Sequence, residues 1–169
     1  MESKLLVLDV DGTMTDGGVY YDDNGNETKK FAIKDGAAIL LAHAAGLEVM
    51  ICTGRECPAV RRRAAELKVE HLYQDVKDKR GFLAGFMAEK SLTAANVAYC
   101  GDDLNDLAAM ELCGFVACPA DACEEVRRRA DYICPQKGGE GAVRGAVEKL
   151  LKDAGCWESA VQAAFGAKI

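Results

Sequence analysis

The stretch LLVLDVDGTMTDG, Leu5 to Gly17, begins as an apolar run and then places two aspartates one residue apart, Asp9 and Asp11. A short apolar run bounded by a turn signal reads as a strand buried on both faces, Leu5–Val10. Asp is depleted in strands, and a buried carboxylate without a partner is costly. Two acids at the end of such a strand therefore call for a counter-charge. Period-two alternation puts Asp9 and Asp11 on the same side of that end.

Outward from this strand the chain alternates. GGVYYDDNGNETKKFAI carries NGN between two β-type runs, which predicts a hairpin over about residues 18–33. KDGAAILLAHAAG is a helix that stops on Gly46, LEVMICT a strand, and CPAVRRRAAELKV a helix with Pro58 in its first turn. HLYQ, NVAYCG, GFVACP and DYIC read as further strands, separated by helices in KRGFLAGFMAEKSL, LNDLAAMELC and CEEVRRRA. A helical tail covers about residues 140–169. Strand and helix alternating at this spacing give an α/β fold, a doubly wound and mostly parallel sheet covered on both faces. No repeat, linker or composition break divides the chain, so residues 1–169 read as a single domain.

Composition bounds the function. A formal net charge of −6 argues against a nucleic-acid partner or an anionic membrane surface. No leader-like segment precedes the first strand, and no apolar run is long enough to span a bilayer. The eight cysteines form no C-x-x-C pair, and His43 and His71 lie in no ligand pattern. They read as reduced, mostly buried thiols of a cytoplasmic protein, without a zinc site or disulfide framework.

Four stretches at predicted strand ends carry the chemistry: DVDGT; CTGR, with Thr53, Gly54 and Arg55; DVKDK, with Lys77 and Lys79; and CGDDLND, with Asp102, Asp103 and Asp106. In parallel α/β sheets, ligands bind beyond the carboxyl ends of the strands. Carboxylates from two strands, a hydroxyl and a lysine would share one crevice there. Close carboxylates do not all ionise without a cation between them, and an all-oxygen set suits Mg²⁺. Hydroxyl, lysine and Mg²⁺ together can clamp a phosphoryl group. A carboxylate nucleophile then splits hydrolysis into two easier displacements.

In this order, the four stretches resemble the motifs of the haloacid-dehalogenase superfamily of phosphohydrolases. The resemblance implies a Rossmann-like core with Asp9 as nucleophile and Asp11 as general acid and base. Thr53 and Lys79 would hold phosphoryl oxygens, with Lys77 a rival for the lysine. Asp9, Asp11 through its backbone carbonyl, and Asp102 would bind Mg²⁺. Asp103 would support the metal's waters, and Asp106 would orient Lys79 or the metal shell. About forty residues separate the first and second motifs, too few for a folded cap domain beside the framework elements.

Over nearly the whole chain, to about Leu151, the sequence resembles the 3-deoxy-D-manno-octulosonate 8-phosphate phosphatases and their close relatives. These are capless tetramers with sites completed by a neighbouring subunit, so the resemblance implies a homotetramer and a sugar-acid phosphate substrate. The aromatic hairpin, with Val19, Tyr20 and Phe31, would enter the interface. Gly54, Arg55, Arg63 and Arg144 would contact substrate, with Arg63 acting across the subunit boundary. Gly138–Arg144 would form the tail motif, and Lys34 and Asp35 would line the entrance. Glu140 in GGEG resembles instead the nine-carbon branch, the nonulosonate 9-phosphate phosphatases, whereas Arg55 resembles the octulosonate branch. A phospho-accepting receiver domain is the alternative from another class, but the strand ending at Thr53 carries no acceptor aspartate.

Overall fold

A computed structural model of the chain describes residues 2–69 and 71–169. The central sheet has six strands: β1 (Leu5–Leu8), β4 (Glu48–Cys52), β5 (His71–Tyr73), β6 (Val97–Cys100), β7 (Phe115–Cys118) and β8 (Tyr132–Ile133). All pairings are parallel, in the order β5-β4-β1-β6-β7-β8. From β1 the chain winds first toward β5 and then, from β6, toward β8. The winding reverses between β1 and β6, and a crevice opens beyond the carboxyl ends at such a reversal.

β1 is buried on both faces, and its side chains divide between two cores. Leu6 and Leu8 pack with α1 (Ile33–Ala44), α2 (Pro58–Glu66), α6 (Ala142–Asp153) and α7 (Trp157–Phe165). Leu5 and Val7 pack with α3 (Lys79–Glu89), α4 (Leu104–Met110) and α5 (Glu124–Arg129). Burying one such aliphatic side chain stabilises the fold by about 1.5–3 kcal/mol, so the continuous apolar run is what places β1 at the centre. Gly46, at φ +78°, ends α1, and Pro58 begins α2, both as the sequence predicts. All eight cysteines are free thiols.

The predicted hairpin forms with shorter strands, β2 (Tyr20–Tyr21) and β3 (Glu27–Thr28). Its turn is organised by Asp22, whose carboxylate accepts the N–H groups of Asn24 and Asn26, with Gly25 at φ +80°. Among the described residues, no cap domain folds over the strand ends. Val19, Tyr20 and Tyr21 are exposed, but Phe31 packs against the core, where it meets Thr15 in an isolated bridge.

The segment Gly138–Arg144 docks on its own subunit. A Cβ at Gly138 would stand 1.8 Å from the Gly12 carbonyl oxygen, so only glycine allows this approach to the loop after β1. The Gly139 N–H donates to the Thr13 carbonyl at 3.1 Å. Asp35 anchors the far end of the segment. It is buried rather than at an entrance, and its Oδ1 accepts the Arg144 N–H at 2.8 Å. Burial pushes the Asp35 carboxyl up to about 6, against the opposing bonds from Arg144 and Gly141 and the charge of Arg63.

The folded state therefore binds this proton more tightly than the unfolded chain. Its contribution to stability is present below the ordinary value of 3.8 and is lost as pH rises toward about 6. Asp35→Asn keeps an acceptor for the Arg144 N–H and carries no charge. Relative to wild type, the variant should gain on the order of 2 kcal/mol between pH 4 and pH 7, read by urea denaturation at each pH. A constant difference across that window would remove Asp35 as the cause.

Candidate active site

β1 ends at Leu8, earlier than its sequence predicts, and strand alternation is not what pairs Asp9 with Asp11. The Asp9 N–H continues the ladder to the Cys100 carbonyl at 3.0 Å. The chain then turns: the Val10 carbonyl accepts the N–H groups of Thr13, Met14 and Thr15, and Gly12 sits at φ +90°. This turn brings Asp11 beside Asp9 on one cavity of about 360 Å³, lined also by Thr53, Gly54, Arg55, Asp103, Leu104 and Asn105. A cavity of about 430 Å³ lies elsewhere, among Glu2, Ala95, Phe115 and Leu150, and gathers none of the motif residues.

Below the cavity floor is a buried ionic cluster. Lys79, the first residue of α3, has a side chain only 1% exposed, and its ammonium donates to Asp9 Oδ1 at 2.6 Å and Asp106 Oδ1 at 2.7 Å. Burial by itself would lower the Lys79 pKa; the two facing carboxylates override it and raise it. Lys77 is exposed and donates to the Gly54 carbonyl and to Asp75, so Lys79 is the lysine of the cluster.

Asp106 is saturated. Besides Lys79, it accepts the Tyr99 hydroxyl at 2.8 Å and the N–H groups of Asp102 and Asp103 at 3.0 and 3.3 Å. With four donors it fixes Lys79 and the loop after β6. Asp102 is oriented from the opposite side: Thr13 Oγ1 donates to its Oδ1 at 2.8 Å, and a Cβ on Gly12 would stand 2.0 Å from its Oδ2. The glycine and threonine of DVDGT thus serve the second acidic loop.

Carboxylate oxygens of Asp9, Asp102 and Asp106 lie within 4.8 Å of one another. Burial, with Asp106 adding and Lys79 opposing, pushes the Asp9 carboxyl up to about 6. Burial, with Asp9 adding, pushes Asp102 up to about 8. One lysine does not neutralise this cluster, and the donor set is all oxygen. It fits a hard divalent cation such as Mg²⁺, with Asp9 and Asp102 as the carboxylates still free to take it. Asp103, expected to act through the metal's waters, is exposed and caps α4. The Asp11 carboxylate is drawn to Lys29, a hairpin residue, and the metal contact expected of Asp11 is through its backbone carbonyl.

Thr53 and Gly54 follow β4 directly. Thr53 is buried, its N–H donates to the Tyr73 carbonyl at 3.0 Å, and its Oγ1 accepts the Arg55 N–H at 3.4 Å. Arg55 reaches the rim, where Nη2 donates to Glu27 Oε2 at 2.8 Å. The structure does not bring Arg63 or Arg144 to this cavity. Arg63 lies over Gly36 of α1 and donates to Glu66, while Arg144 stacks on Trp157 and pairs with Glu148. Thr13, Tyr99, Lys29 and Glu27 were not singled out by the sequence. Thr13 alone had a signal there, as part of DVDGT.

No family model matches the chain. It is 41% identical over 148 residues to the 3-deoxy-D-manno-octulosonate 8-phosphate phosphatase of Escherichia coli K12, covering 88% of this chain and 79% of that protein. The chain belongs to this phosphatase family. The corresponding enzyme of Moraxella catarrhalis, solved with magnesium, phosphate and KDO, superposes with a TM-score of 0.90 at 37% identity, covering 94% of this chain and 91% of that one. The cobalt-bound enzyme of Haemophilus influenzae gives 0.88 at 34% identity, covering 93% and 92%. The family lies in the haloacid-dehalogenase superfamily, and the chain is a phosphatase of its capless type. The family also disposes of the receiver alternative. Among the described residues, no helix is long and apolar enough to cross a membrane.

Proposed function

We propose that this protein hydrolyses 3-deoxy-D-manno-octulosonate 8-phosphate through an aspartyl-phosphate on Asp9. The observation that carries the chemistry is the placement of Asp9: a buried carboxylate bonded by Lys79 and lining the same cavity as Asp11. In the first step an Asp9 oxygen attacks phosphorus and the bond to the sugar oxygen breaks. Asp11 delivers a proton to that oxygen as it leaves. In the second step Asp11 takes a proton from water, the water oxygen bonds to phosphorus, and the bond to Asp9 breaks. Thr53 and Lys79 hold phosphoryl oxygens. Asp106 and Tyr99 keep Lys79 in place. Asp9 and Asp102 would hold Mg²⁺, which when bound neutralises charge on the phosphoryl group.

Arg55 at the rim would meet a carboxylate remote from the phosphate, which a guanidinium binds bidentately. The eight-carbon substrate is favoured by the similarity to octulosonate 8-phosphate phosphatases, and Arg55 supports it. A homotetramer is proposed on the exposed apolar residues Val19, Tyr20, Tyr21 and Ile33, the last 80% exposed. Arg63, outside its own subunit's cavity, would then reach a neighbour's site. The test is phosphate release from octulosonate 8-phosphate against nonulosonate 9-phosphates, with the solution mass measured on the same sample. The eight-carbon ester should win by at least about tenfold in kcat/KM. Preference for a nine-carbon ester would overturn the substrate, and a fully active monomer would overturn the shared site.

A further inference from the structure

Lys29 is a buried lysine that the scheme above leaves unused. Within ETKK of the hairpin, the Lys29 side chain is only 1% exposed. The hairpin carries it inward from β3. Its ammonium donates to Asp11 Oδ1 and to Glu27 Oε1, the latter at 2.7 Å. Glu27 Oε2 in turn accepts Arg55 Nη2 at 2.8 Å. A continuous ionic line therefore runs from the proton-transfer carboxyl, through the hairpin, to the rim. Burying a lysine sacrifices both rotamer freedom and hydration, so this placement needs strong partners, and the two carboxylates supply them.

An ammonium has donors and no acceptor. The Asp11 oxygen that it holds is committed as an acceptor, which leaves the other oxygen free. We propose that Lys29 is a positioning residue for the proton-transfer step: it grips Asp11 by Oδ1 so that Oδ2 is the oxygen presented to the leaving group. The proton on Oδ2 passes to the sugar oxygen as its bond to phosphorus breaks. Oδ2 is then free to take a proton from the attacking water. The hairpin becomes part of the catalytic apparatus by this contact. The inference rests on the assignment of Asp11 to proton transfer.

Leaving-group dependence tests it. kcat/KM covers the steps up to departure of the leaving group. A primary alkyl phosphate, octulosonate 8-phosphate, needs a proton on departure; p-nitrophenyl phosphate releases a weak base that does not. Lys29→Met should lower kcat/KM about 30-fold or more on the alkyl ester and less than about threefold on the aryl ester. Equal losses on both esters, the pattern of a merely structural role, would overturn the proposal, as would an undiminished alkyl rate. Asp11→Asn is run beside it. Selective loss in Asp11→Asn with none in Lys29→Met overturns the role of Lys29 alone. An unchanged alkyl rate in Asp11→Asn overturns the assignment of Asp11, and the proposal with it. Should Lys29→Met lack a cooperative thermal transition, Glu27→Gln removes one of the two anchors and keeps the lysine. The same selectivity, at about fivefold, is expected there. Its absence in a folded Glu27→Gln protein would overturn the proposal.

Discussion

Asp9→Asn should abolish turnover while leaving the protein folded. Asparagine has nearly the shape of aspartate, and its carbonyl oxygen can still accept from Lys79, which bonds Asp9 Oδ1 at 2.6 Å. It does not supply a carboxylate oxygen to attack phosphorus, so no covalent intermediate forms. Removing a nucleophile of this kind costs on the order of 10⁴-fold or more in kcat. Stability should move the other way. Burial and Asp106 hold the Asp9 carboxyl up near 6, and Asp9 in turn raises Asp102. A neutral side chain relieves that crowding, and the thermal midpoint without added metal should equal or exceed that of wild type. Phosphate release with Mg²⁺ supplied, beside a thermal melt, checks both halves. Turnover above about 1% of wild type would remove Asp9 as the nucleophile.

Lys79→Met should lose activity and stability together. The lysine is buried between two carboxylates, at 2.6 and 2.7 Å. Methionine fills similar space and leaves Asp9 and Asp106 facing each other without their cation. Breaking a buried pair in this way costs about 3–5 kcal/mol, because the uncompensated charge stays behind. The phosphoryl group loses a fixed positive contact at the same time, worth about 10²–10³-fold in kcat. Adding Asp106→Asn to Lys79→Met removes one stranded charge. The double variant should regain part of the stability and none of the activity, which separates the two roles. Lys77→Met is the control: its target is 74% exposed, and its activity should stay within about threefold of wild type. A Lys79→Met protein as stable and active as wild type would transfer the role elsewhere.

Much of the fold can be read along the chain because its signals are local. Apolar runs of strand length, Gly46 behind α1, Pro58 at the head of α2 and NGN in the hairpin each act within a few residues of where they stand. The motif residues are legible for a related reason. An acid, a hydroxyl or a lysine directly after a buried strand has little local purpose, and the α/β topology sends all such ends to one edge. The partners behind them are not legible. Tyr99 looks like an ordinary strand aromatic until β6 turns its hydroxyl onto Asp106. Thr13 looks like a turn residue until it meets Asp102, 89 positions away. Arg63 and Arg144 carry the same charge as Arg55, yet only Arg55 reaches this cavity.

The sequence by itself therefore determined the strand-and-helix alternation, the strand ends that bear the chemistry and the kind of reaction those residues can perform. These depend on side-chain type and spacing over short distances. Only the tertiary structure decided that Lys79 rather than Lys77 neutralises Asp9, that Asp106 is consumed by four donors, that Gly138 braces the loop after β1 and that Lys29 reaches Asp11. Each of these depends on which groups lose water together on folding. Burial turns a charge that would be solvated in an open chain into one that must find a partner, and those partners come from distant parts of the sequence.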